Sequence, residues 1–263
     1  MNPGDDPCAF LLDLDGTLYS GGAAIPGAVD ALKRLRRRKM RYRLVTNTTS
    51  RSRSMIVQRL QGYGFEVLAE EVFTATLAGT ELARMAGYTR VAPFTAEAAL
   101  EDMQALDLVG GTSGRPAVPA PDAILVGDLG PRWTYALMQE AFDYLMRGAA
   151  FIALSRDRYW LQEDRLALDA GPFVAGLEFA TGTNAGVAGK PSLAFFEAAV
   201  RSLDLVPSTA VAMVGDDLWS DVEGAQRAGL QGWLVRTGKY RLAALQESGI
   251  HPDRILDSVA ALE

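Results

Sequence analysis

Cysteine and histidine are almost absent from this chain of 263 residues, which contains one of each. The single cysteine, Cys8, excludes an intramolecular disulfide and a cysteine-rich zinc site, and we expect it to pack beside the first strand. The single histidine, His251, precedes Pro252 in a predicted surface loop, so we expect neither a Ser-His-Asp triad nor a histidine-ligated metal. Any chemistry must therefore depend on other side chains, and carboxylates are the best candidates.

Long apolar runs and an excess of positive charge are also missing. No run approaches the roughly 18 apolar residues that predict a membrane span. Residues 1–6 contain acidic side chains and no basic region, so they do not predict a cleavable signal. The formal net charge of -6 argues against a dedicated nucleic-acid binder. We expect a cytoplasmic protein that binds neither nucleic acid nor a membrane.

One basic run departs from this acidic balance. Apolar residues at helical spacing, Val29, Leu32 and Leu35, interrupt it, so the cations are predicted to cover the solvated face and the end of an amphipathic helix. An acidic partner is the alternative interpretation. The run consists of Lys33, Arg34, Arg36, Arg37, Arg38, Lys39, Arg41 and Arg43.

The order of predicted elements indicates an α/β fold. Strands are predicted at 10–14 and 42–46, with helices over 26–39 and from 53 to 62 or 64. The C-terminal part repeats the pattern, with helices over 193–203, 221–228 and 242–248 and strands at 209–214 and 232–236. Such alternation predicts a doubly wound parallel sheet with right-handed crossovers.

The middle of the chain reads as an inserted domain. It contains a Gly/Pro-rich connector over 112–121, strands at 123–126 and 150–154, and a helix over 134–146. We therefore predict one core domain formed by residues 1–75 and 186–263, and an inserted α/β domain over residues 76–185.

Two closely spaced carboxylates, Asp13 and Asp15, lie at the end of the first predicted strand and precede Gly16. Two like charges held this close repel unless a cation lies between them or one stays protonated, and either condition is useful for catalysis. On this segment alone a solvated turn remains the alternative. A calcium loop of the EF-hand type is excluded, because its later ligand positions are missing.

Other polar residues follow other strands of the same predicted sheet. In open parallel sheets, ligands bind at the carboxyl ends of the strands, so these residues should converge. A carboxylate cluster without histidine suits Mg²⁺, and a hydroxyl, an amide and an ammonium suit phosphate oxygens. An aspartate can attack phosphorus and form an aspartyl-phosphate. The converging residues are Asp13, Asp15, Thr46, Asn47, Lys190, Asp216, Asp217 and Asp221.

These motifs resemble those of haloacid dehalogenase superfamily phosphatases, in their order and in their positions after strands. The resemblance implies a Rossmann-like core, and the insert between the second and third motifs resembles the C2-type cap of the NagD-like subfamily IIA. The matching stretches are Asp13-Leu14-Asp15-Gly16-Thr17, Thr46-Asn47, Lys190, and Gly215-Asp216-Asp217 with Asp221.

A closer resemblance is to the branch that holds phospholysine phosphohistidine inorganic pyrophosphate phosphatase. It rests on the segments 171–181, 215–226 and 234–240. It implies a Mg²⁺-dependent phosphatase acting on small phosphate monoesters, with pyrophosphate and phosphoramidates as further candidate substrates. It also implies a homodimer formed through the cap.

The resemblance further implies a role for each site residue. Asp13 would be the nucleophile and a Mg²⁺ ligand. Asp15 would be the acid and base, with its backbone carbonyl on Mg²⁺. Thr46 and Asn47 would hold the phosphoryl group, and Lys190 would pair with both the phosphate and Asp13.

The acidic motif after the third strand completes this implied site. Asp216 would be the third protein ligand of Mg²⁺. Asp217 and Asp221 would orient the ligands or the metal-bound waters, with direct ligation by Asp221 left open. The carboxyl at Asp15 favours phosphate hydrolysis over carbon-halogen cleavage, because dehalogenase members lack that acid.

Several alternatives stay open at this point. Thr46 and Asn47 could cap the following helix. The whole pocket could belong to a phosphate-binding regulatory protein without turnover, or to a phosphotransferase. Residues of the insert that could reach the substrate are Asp128, Arg132, Trp133, Arg158, Tyr159 and Trp160, and we interpret the aromatic ones as packing residues.

Overall fold

The computed structural model describes residues 6–162 and 165–262, and the chain divides into two compact units. The first unit consists of Met1–Thr46, Ser54–Phe73 and Lys190–Glu263, and the second of Asn47–Arg53 and Thr74–Gly189. Most of the second unit is thus a single segment inserted into the first. The domain limits that we derived from the sequence stay predictions.

The first unit is built on a six-stranded sheet. Its first strand, Ala9–Asp13, is buried along its whole length and pairs in parallel with a strand on either side. In a parallel sheet, an apolar run usually forms a strand that is buried on both faces. The strand order is Arg254–Leu256, Gln231–Val235, Val211–Gly215, Ala9–Asp13, Arg41–Thr46 and Val72–Thr74.

Helices and short turns complete the first unit. The α-helices are Ala28–Arg37, Arg53–Gly62, Leu193–Arg201, Gly224–Arg227 and Leu242–Ser248, and Leu218–Glu223 forms a π-helical turn. Short 3-10 turns span Ala69–Glu71 and Val259–Ala261, and Tyr19–Ser20 pairs with Ala23–Ala24 in a small hairpin. Ser192 caps the helix that starts at Leu193 by accepting a hydrogen bond from the amide of Phe195.

The second unit has a parallel sheet of its own. The strand order is Gly186–Val187, Ala150–Ala153, Ala123–Val126, Arg90–Phe94 and Asp107–Leu108. Its α-helices are Ala75–Met85, Tyr135–Met146 and Gly171–Thr181, and its 3-10 turns are Glu97–Met103, Gly111–Ser113 and Gly130–Arg132. A separate antiparallel hairpin joins Tyr159–Gln162 to Arg165–Leu168.

An aromatic stack and a close approach of a helix to the sheet are two features of the packing in the second unit. The indole of Trp133 stacks on Phe173 and Phe94, with ring centroids 4.8 Å and 6.1 Å away. Gly79 lets its helix approach the sheet, because a Cβ there would lie 2.2 Å from Leu154 Cδ2. Trp133 is therefore a packing residue, as the sequence indicated. Tyr159 and Trp160 are instead exposed on the hairpin, so the packing interpretation is wrong for these two.

The predicted α/β fold with parallel sheets is confirmed, and the differences have local causes. The predicted helix 221–228 begins earlier, at Leu218, because Asp217 accepts hydrogen bonds from the amides of Trp219 and Ser220. The helices Ala75–Met85 and Gly171–Thr181 were not predicted from the sequence. Cys8 is exposed, so the prediction that it packs beside the first strand is wrong. His251 is exposed in a loop, as predicted.

Most of the basic run is exposed, as predicted, and three of its arginines are half-buried. The Arg34 guanidinium donates hydrogen bonds to the backbone carbonyls of Ala260 and Leu262, which attach the C-terminal segment to this helix. Arg36 pairs with Glu71 at 2.6 Å. Part of the run therefore holds the first unit together. Among the residues that the structure describes, no helix has the length and apolar character needed to cross a membrane.

Candidate active site

Two neighbouring strands of the first unit bring the site together. Asp13 is the last residue of Ala9–Asp13, and Asp216 directly follows Val211–Gly215. The strands are parallel and in register, with Leu12 opposite Val214, so both carboxylates emerge at the same edge of the sheet. Asp221 joins them from the helical turn that follows. One carboxylate oxygen from each residue lies within 4.8 Å of the others.

Burial makes this carboxylate cluster electrostatically costly. Asp13, Asp216 and Asp221 are 8%, 3% and 1% exposed. Burial raises the pKa of Asp13 well above its usual range; Lys190 opposes this shift, whereas Asp221 and Asp216 add to it. Burial and the neighbouring Asp221 carboxylate raise the pKa of Asp216 to about 6. The carboxylates destabilise one another and would gain from a bound cation.

Lys190 provides part of the missing positive charge. Its Nζ lies 2.5 Å from Asp13 Oδ1 and 2.7 Å from Asp221 Oδ1. Burial alone would lower the pKa of Lys190, but Asp13 and Asp221 outweigh burial and raise it, so the ammonium stays charged. One ammonium against three carboxylates still leaves an excess of negative charge. That excess fits a hard divalent cation with oxygen ligands.

Three glycines make room for the carboxylates. A Cβ at Gly16 or Gly238 would lie 1.9 Å or 2.0 Å from Asp216 Oδ2, and a Cβ at Gly215 would lie 2.1 Å from Asp221 Oδ2. Gly16 and Gly238 also have positive φ angles, of 81° and 56°, which glycine adopts without strain. The backbone therefore holds the donor oxygens of the cluster in a close-fitting cradle, and the donor set fits Mg²⁺.

Asp217 and Asp221 differ in what they contact, although both follow the same strand. The Asp221 carboxylate accepts from Lys190 through Oδ1 and from the backbone amide of Asp217 through Oδ2. The Asp217 carboxylate caps the helical turn and pairs with Lys239 Nζ at 2.9 Å. Burial would raise the pKa of Asp217, but Lys239 and the Ser220 amide outweigh it and lower the pKa. Asp221 thus belongs to the carboxylate cluster, and Asp217 to the adjoining turn.

Asp15 stands apart from the buried cluster. It is exposed, and its Oδ2 accepts a hydrogen bond of 2.8 Å from the hydroxyl of Tyr19. Burial and the Asp15 carboxylate raise the pKa of Tyr19, so its hydroxyl keeps its proton. The sequence analysis did not identify Tyr19, because a tyrosine four residues after an aspartate in a loop has no recognised meaning.

Thr46 ends the strand Arg41–Thr46, Asn47 follows it, and neither residue caps a helix. The next helix starts at Arg53, several residues further on, so the capping alternative is excluded for both. Thr46 is buried at the end of its strand, next to the strand of Asp13. Asn47 belongs to the second unit, where its Nδ2 donates to Asp157 Oδ2 at 3.1 Å.

The segment 237–239 also contributes to the site and was missed from the sequence. The Lys239 amide donates to Asp216 Oδ2 at 2.7 Å, and the Thr237 hydroxyl donates to the Gly16 carbonyl. The only signal in the sequence was a Thr-Gly-Lys run after a predicted strand.

Two of the predicted substrate-contacting residues lie in the second unit. There Asp128 Oδ1 accepts a hydrogen bond from the Gly130 amide, and Arg132 pairs with Glu97 at 3.3 Å.

Comparisons with known proteins match this sequence and this architecture. Residues 10–109 match the family model of haloacid dehalogenase-like hydrolases, and residues 187–262 match a model described as HAD-hydrolase-like. Haloacid dehalogenase-like hydrolase domain-containing protein 2 of Mus musculus is 42% identical over 244 residues, which are 93% of this chain and 89% of that protein. Phospholysine phosphohistidine inorganic pyrophosphate phosphatase of Homo sapiens is 34% identical over 256 residues, 95% of this chain and 90% of that protein.

Solved structures give the same picture. A p-nitrophenyl phosphatase from Archaeoglobus fulgidus aligns with a TM-score of 0.87 and 27% identity, over 97% of each chain. A glycerol phosphate phosphatase from Mycobacterium tuberculosis, solved with magnesium, aligns with a TM-score of 0.84 and 31% identity, over 98% of this chain and 77% of that one. NagD from E. coli K-12 shares the fold, with a TM-score of 0.87.

Together with relatives that are phosphatases, the parallel α/β sheet with aspartates at its strand ends and a lysine bonded to them identifies a phosphatase. The chain belongs to the haloacid dehalogenase-like hydrolase family. Within that family it is close to the phospholysine phosphohistidine inorganic pyrophosphate phosphatase branch, and its fold is that of NagD.

Proposed function

We propose that this protein hydrolyses small phosphate monoesters, with Mg²⁺ as cofactor and an aspartyl-phosphate on Asp13 as intermediate. The observation that carries the proposal is the buried cluster of Asp13, Asp216 and Asp221 with the ammonium of Lys190 on its edge. A binding protein without turnover would have no use for the additional acid at Asp15. Hydrolysis therefore accounts for more of the site than binding does.

Asp13 is the nucleophile of the proposed reaction. Lys190 holds Asp13 Oδ1, so Oδ2 is the oxygen available to form the bond to phosphorus while the bond to the leaving oxygen breaks. Asp15 donates its proton to that leaving oxygen. In the second step Asp15 removes a proton from the water that attacks the aspartyl-phosphate, which restores the Asp13 carboxylate and releases phosphate.

Mg²⁺, when bound, supplies positive charge against the negative charge of the transferring phosphoryl group. The residues that would hold it are Asp13, Asp216 and Asp221 through their carboxylates. The family resemblance adds the backbone carbonyl of Asp15. Lys190 would neutralise a further part of the phosphoryl charge. Asp217 would act indirectly, by capping the turn that carries Asp221.

Thr46 and Asn47 are the proposed phosphoryl-binding residues. A hydroxyl and an amide donate hydrogen bonds to phosphate oxygens without adding charge. The substrate class is supported by relatives whose names state glycerol phosphate, p-nitrophenyl phosphate, and phospholysine, phosphohistidine and inorganic pyrophosphate as substrates. Phosphate esters, phosphoramidates and pyrophosphate are therefore the compounds to test.

Two further proposals concern the setting of the reaction. We propose a cytoplasmic location and a homodimer formed through the inserted segment. Size-exclusion chromatography with light scattering tests the dimer, because it measures the mass in solution directly. A monomeric mass at all protein concentrations would contradict it.

The deciding experiment measures phosphate release from a panel of small phosphate esters, a phosphoramidate and pyrophosphate, with Mg²⁺ and then with EDTA. We expect Mg²⁺-dependent release, and loss of at least about 1,000-fold in kcat for Asp13→Asn, which removes the nucleophile. A folded Asp13→Asn variant with full activity would contradict the mechanism. Transfer of phosphate to added alcohols instead of water would indicate a phosphotransferase.

A further inference from the structure

The segment after Asp15 folds back over it. The Gly16 amide donates to the Tyr19 carbonyl at 2.7 Å, and the amides of Leu18 and Tyr19 both donate to the Leu14 carbonyl, at 2.9 Å and 3.2 Å. This closed turn brings the side chain of Tyr19 next to that of Asp15. The Tyr19 hydroxyl then donates to Asp15 Oδ2 at 2.8 Å.

Tyr19 is itself held firmly by its surroundings. The residue is 4% exposed, and its ring lies 5.3 Å from the ring of Tyr63. The guanidinium of Arg59 lies 4.8 Å above the Tyr19 ring, and Arg59 Nε donates to the Tyr63 hydroxyl at 3.0 Å. A buried ring in contact with a cation and an aromatic neighbour has little freedom to rotate. Its hydroxyl is therefore a fixed point against which an exposed carboxyl can be oriented.

We propose that Tyr19 is a positioning residue for Asp15, and that it acts by holding Oδ2 so that Oδ1 is the oxygen that exchanges protons with the substrate. Among the described residues, Oδ1 of Asp15 has no hydrogen-bond partner, whereas Oδ2 has the Tyr19 hydroxyl. This inference rests on the proposed function, since it assigns a geometry to the acid of that reaction.

The proton balance of the step limits what Tyr19 does. When the phosphorus–oxygen bond to the leaving group breaks, the leaving oxygen takes the proton from Asp15 Oδ1, and the negative charge passes to the Asp15 carboxylate. Tyr19 keeps its own proton throughout and stabilises that carboxylate by its hydrogen bond. The benefit is greatest when the leaving oxygen is strongly basic, because a good leaving group departs without the help of an acid.

The test compares Tyr19→Phe with the matched control Tyr63→Phe, which removes a hydroxyl from the same cluster without touching Asp15. kcat/KM is measured for p-nitrophenyl phosphate, phenyl phosphate and an alkyl phosphate. For Tyr19→Phe we expect a loss below about 3-fold with p-nitrophenyl phosphate and a loss of about 10-fold to 100-fold with the alkyl ester. Tyr63→Phe should lower all of these values by the same small factor.

Equal losses of Tyr19→Phe across the series, or no loss, would overturn the inference. A wild-type protein that hydrolyses none of the esters would instead contradict the proposed function, so the two failures are distinguishable.

A double-mutant comparison tests whether Tyr19 acts through Asp15. In an Asp15→Ala background, Tyr19→Phe should change the single-turnover release of p-nitrophenolate by less than about 2-fold, because the residue it positions is gone. A further loss of about 10-fold in that background would contradict a role through Asp15.

Discussion

At the scale of single residues, Lys190 is the group on which the folded site depends most. It is 5% exposed and bonded to two buried carboxylates, Asp13 and Asp221. Removing one partner of a buried ion pair leaves the others without compensation in a medium of low dielectric constant. A surface lysine has no such effect, because water solvates both members of its ion pair.

Replacing Lys190 by Met should therefore lower the free energy of unfolding by about 3–5 kcal/mol in EDTA, as measured by urea denaturation. Lys239→Met is the control, because the Lys239 side chain is 70% exposed in its pair with Asp217, and it should cost less than about 1 kcal/mol. If the two variants lost the same free energy of unfolding, burial of the Lys190 ion pairs would not contribute to stability.

At the scale of elements, the helical turn that follows Asp217 gives two acids different partners. Asp217 is the residue before the helical turn, so its carboxylate faces the free amides of that turn. Asp221 lies one turn later, where its side chain returns towards Asp13 and Lys190. The same stretch of sequence thus supplies one stabilising acid and one candidate ligand.

Asp217→Ala should cost about 1 kcal/mol of stability, the usual value of a helix cap, with Mg²⁺ affinity changed by less than about 3-fold. Because the pKa of Asp217 is lowered in the folded protein, this contribution should be present in full above the ordinary carboxyl pKa of about 3.9. It should disappear as the pH falls through the lowered pKa. Urea denaturation at several pH values tests this.

Asp221→Ala should instead lower Mg²⁺ affinity by at least about 10-fold, measured by isothermal titration calorimetry. Asp217→Ala serves as its control, since both variants remove one acid from the same turn. If the two variants lost Mg²⁺ affinity equally, the assignment of Asp221 to the carboxylate cluster would be wrong.

A second element, the loop 237–239, shapes the site through its backbone. Gly238 has a φ of 56°, and a Cβ there would lie 2.0 Å from Asp216 Oδ2. Gly238→Ala should therefore displace the Asp216 carboxylate and weaken Mg²⁺ binding by about 10-fold or more, again measured by calorimetry. Gly249 has a similar φ of 70° and nothing within 4 Å of its Cβ position. Gly249→Ala should lower the free energy of unfolding by about 1–3 kcal/mol, because alanine is strained at this positive φ. Its Mg²⁺ affinity should be unchanged.

At the scale of the whole molecule, the carboxylate cluster lies within one of the two units. Asp13, Lys190, Asp216 and Asp221 all belong to the first unit, although they come from distant parts of the sequence. Binding of a cation to the folded cluster stabilises the unit that contains it by mass action. The second unit has its own sheet and its own apolar core, so it has no direct share in that gain.

Mg²⁺ at about 100 times its dissociation constant should add about 2.7 kcal/mol to the stability of the first unit. Hydrogen exchange should show the added protection in strands Ala9–Asp13 and Val211–Gly215, with little change in Ala123–Val126. EDTA should reverse the effect, and Asp216→Asn should abolish it. Equal added protection in both units would contradict a site confined to the first.

The strand-end residues show how far the sequence could be interpreted. Asp13 and Asp216 follow apolar runs, and the order of elements predicted that these runs are parallel strands, so their convergence was foreseeable. Elements with a clear local pattern were also predictable. Examples are the helix Leu242–Ser248 and the strand Ala123–Val126, whose limits agree with the prediction.

The contacts that depend on side-chain direction were not foreseeable. The division of work between Asp217 and Asp221 depends on where the helical turn starts, and the cap at Asp217 moves that start to Leu218. The helix Ala75–Met85 was missed because Gly79 and two threonines, Thr76 and Thr80, weaken its pattern. The close approach to Leu154 that Gly79 allows is visible only in the packed unit.

The sequence by itself determined the family, the α/β architecture and the set of acids from which the site is made, because apolar periodicity and short motifs are local properties of the chain. Tertiary structure alone decided which acids meet in the buried cluster, that Lys190 joins two of them, and that Tyr19 holds Asp15. These are contacts between groups whose distances depend on turns, caps and the absence of a Cβ at Gly16 and Gly238, and such distances arise only when the strands pack together.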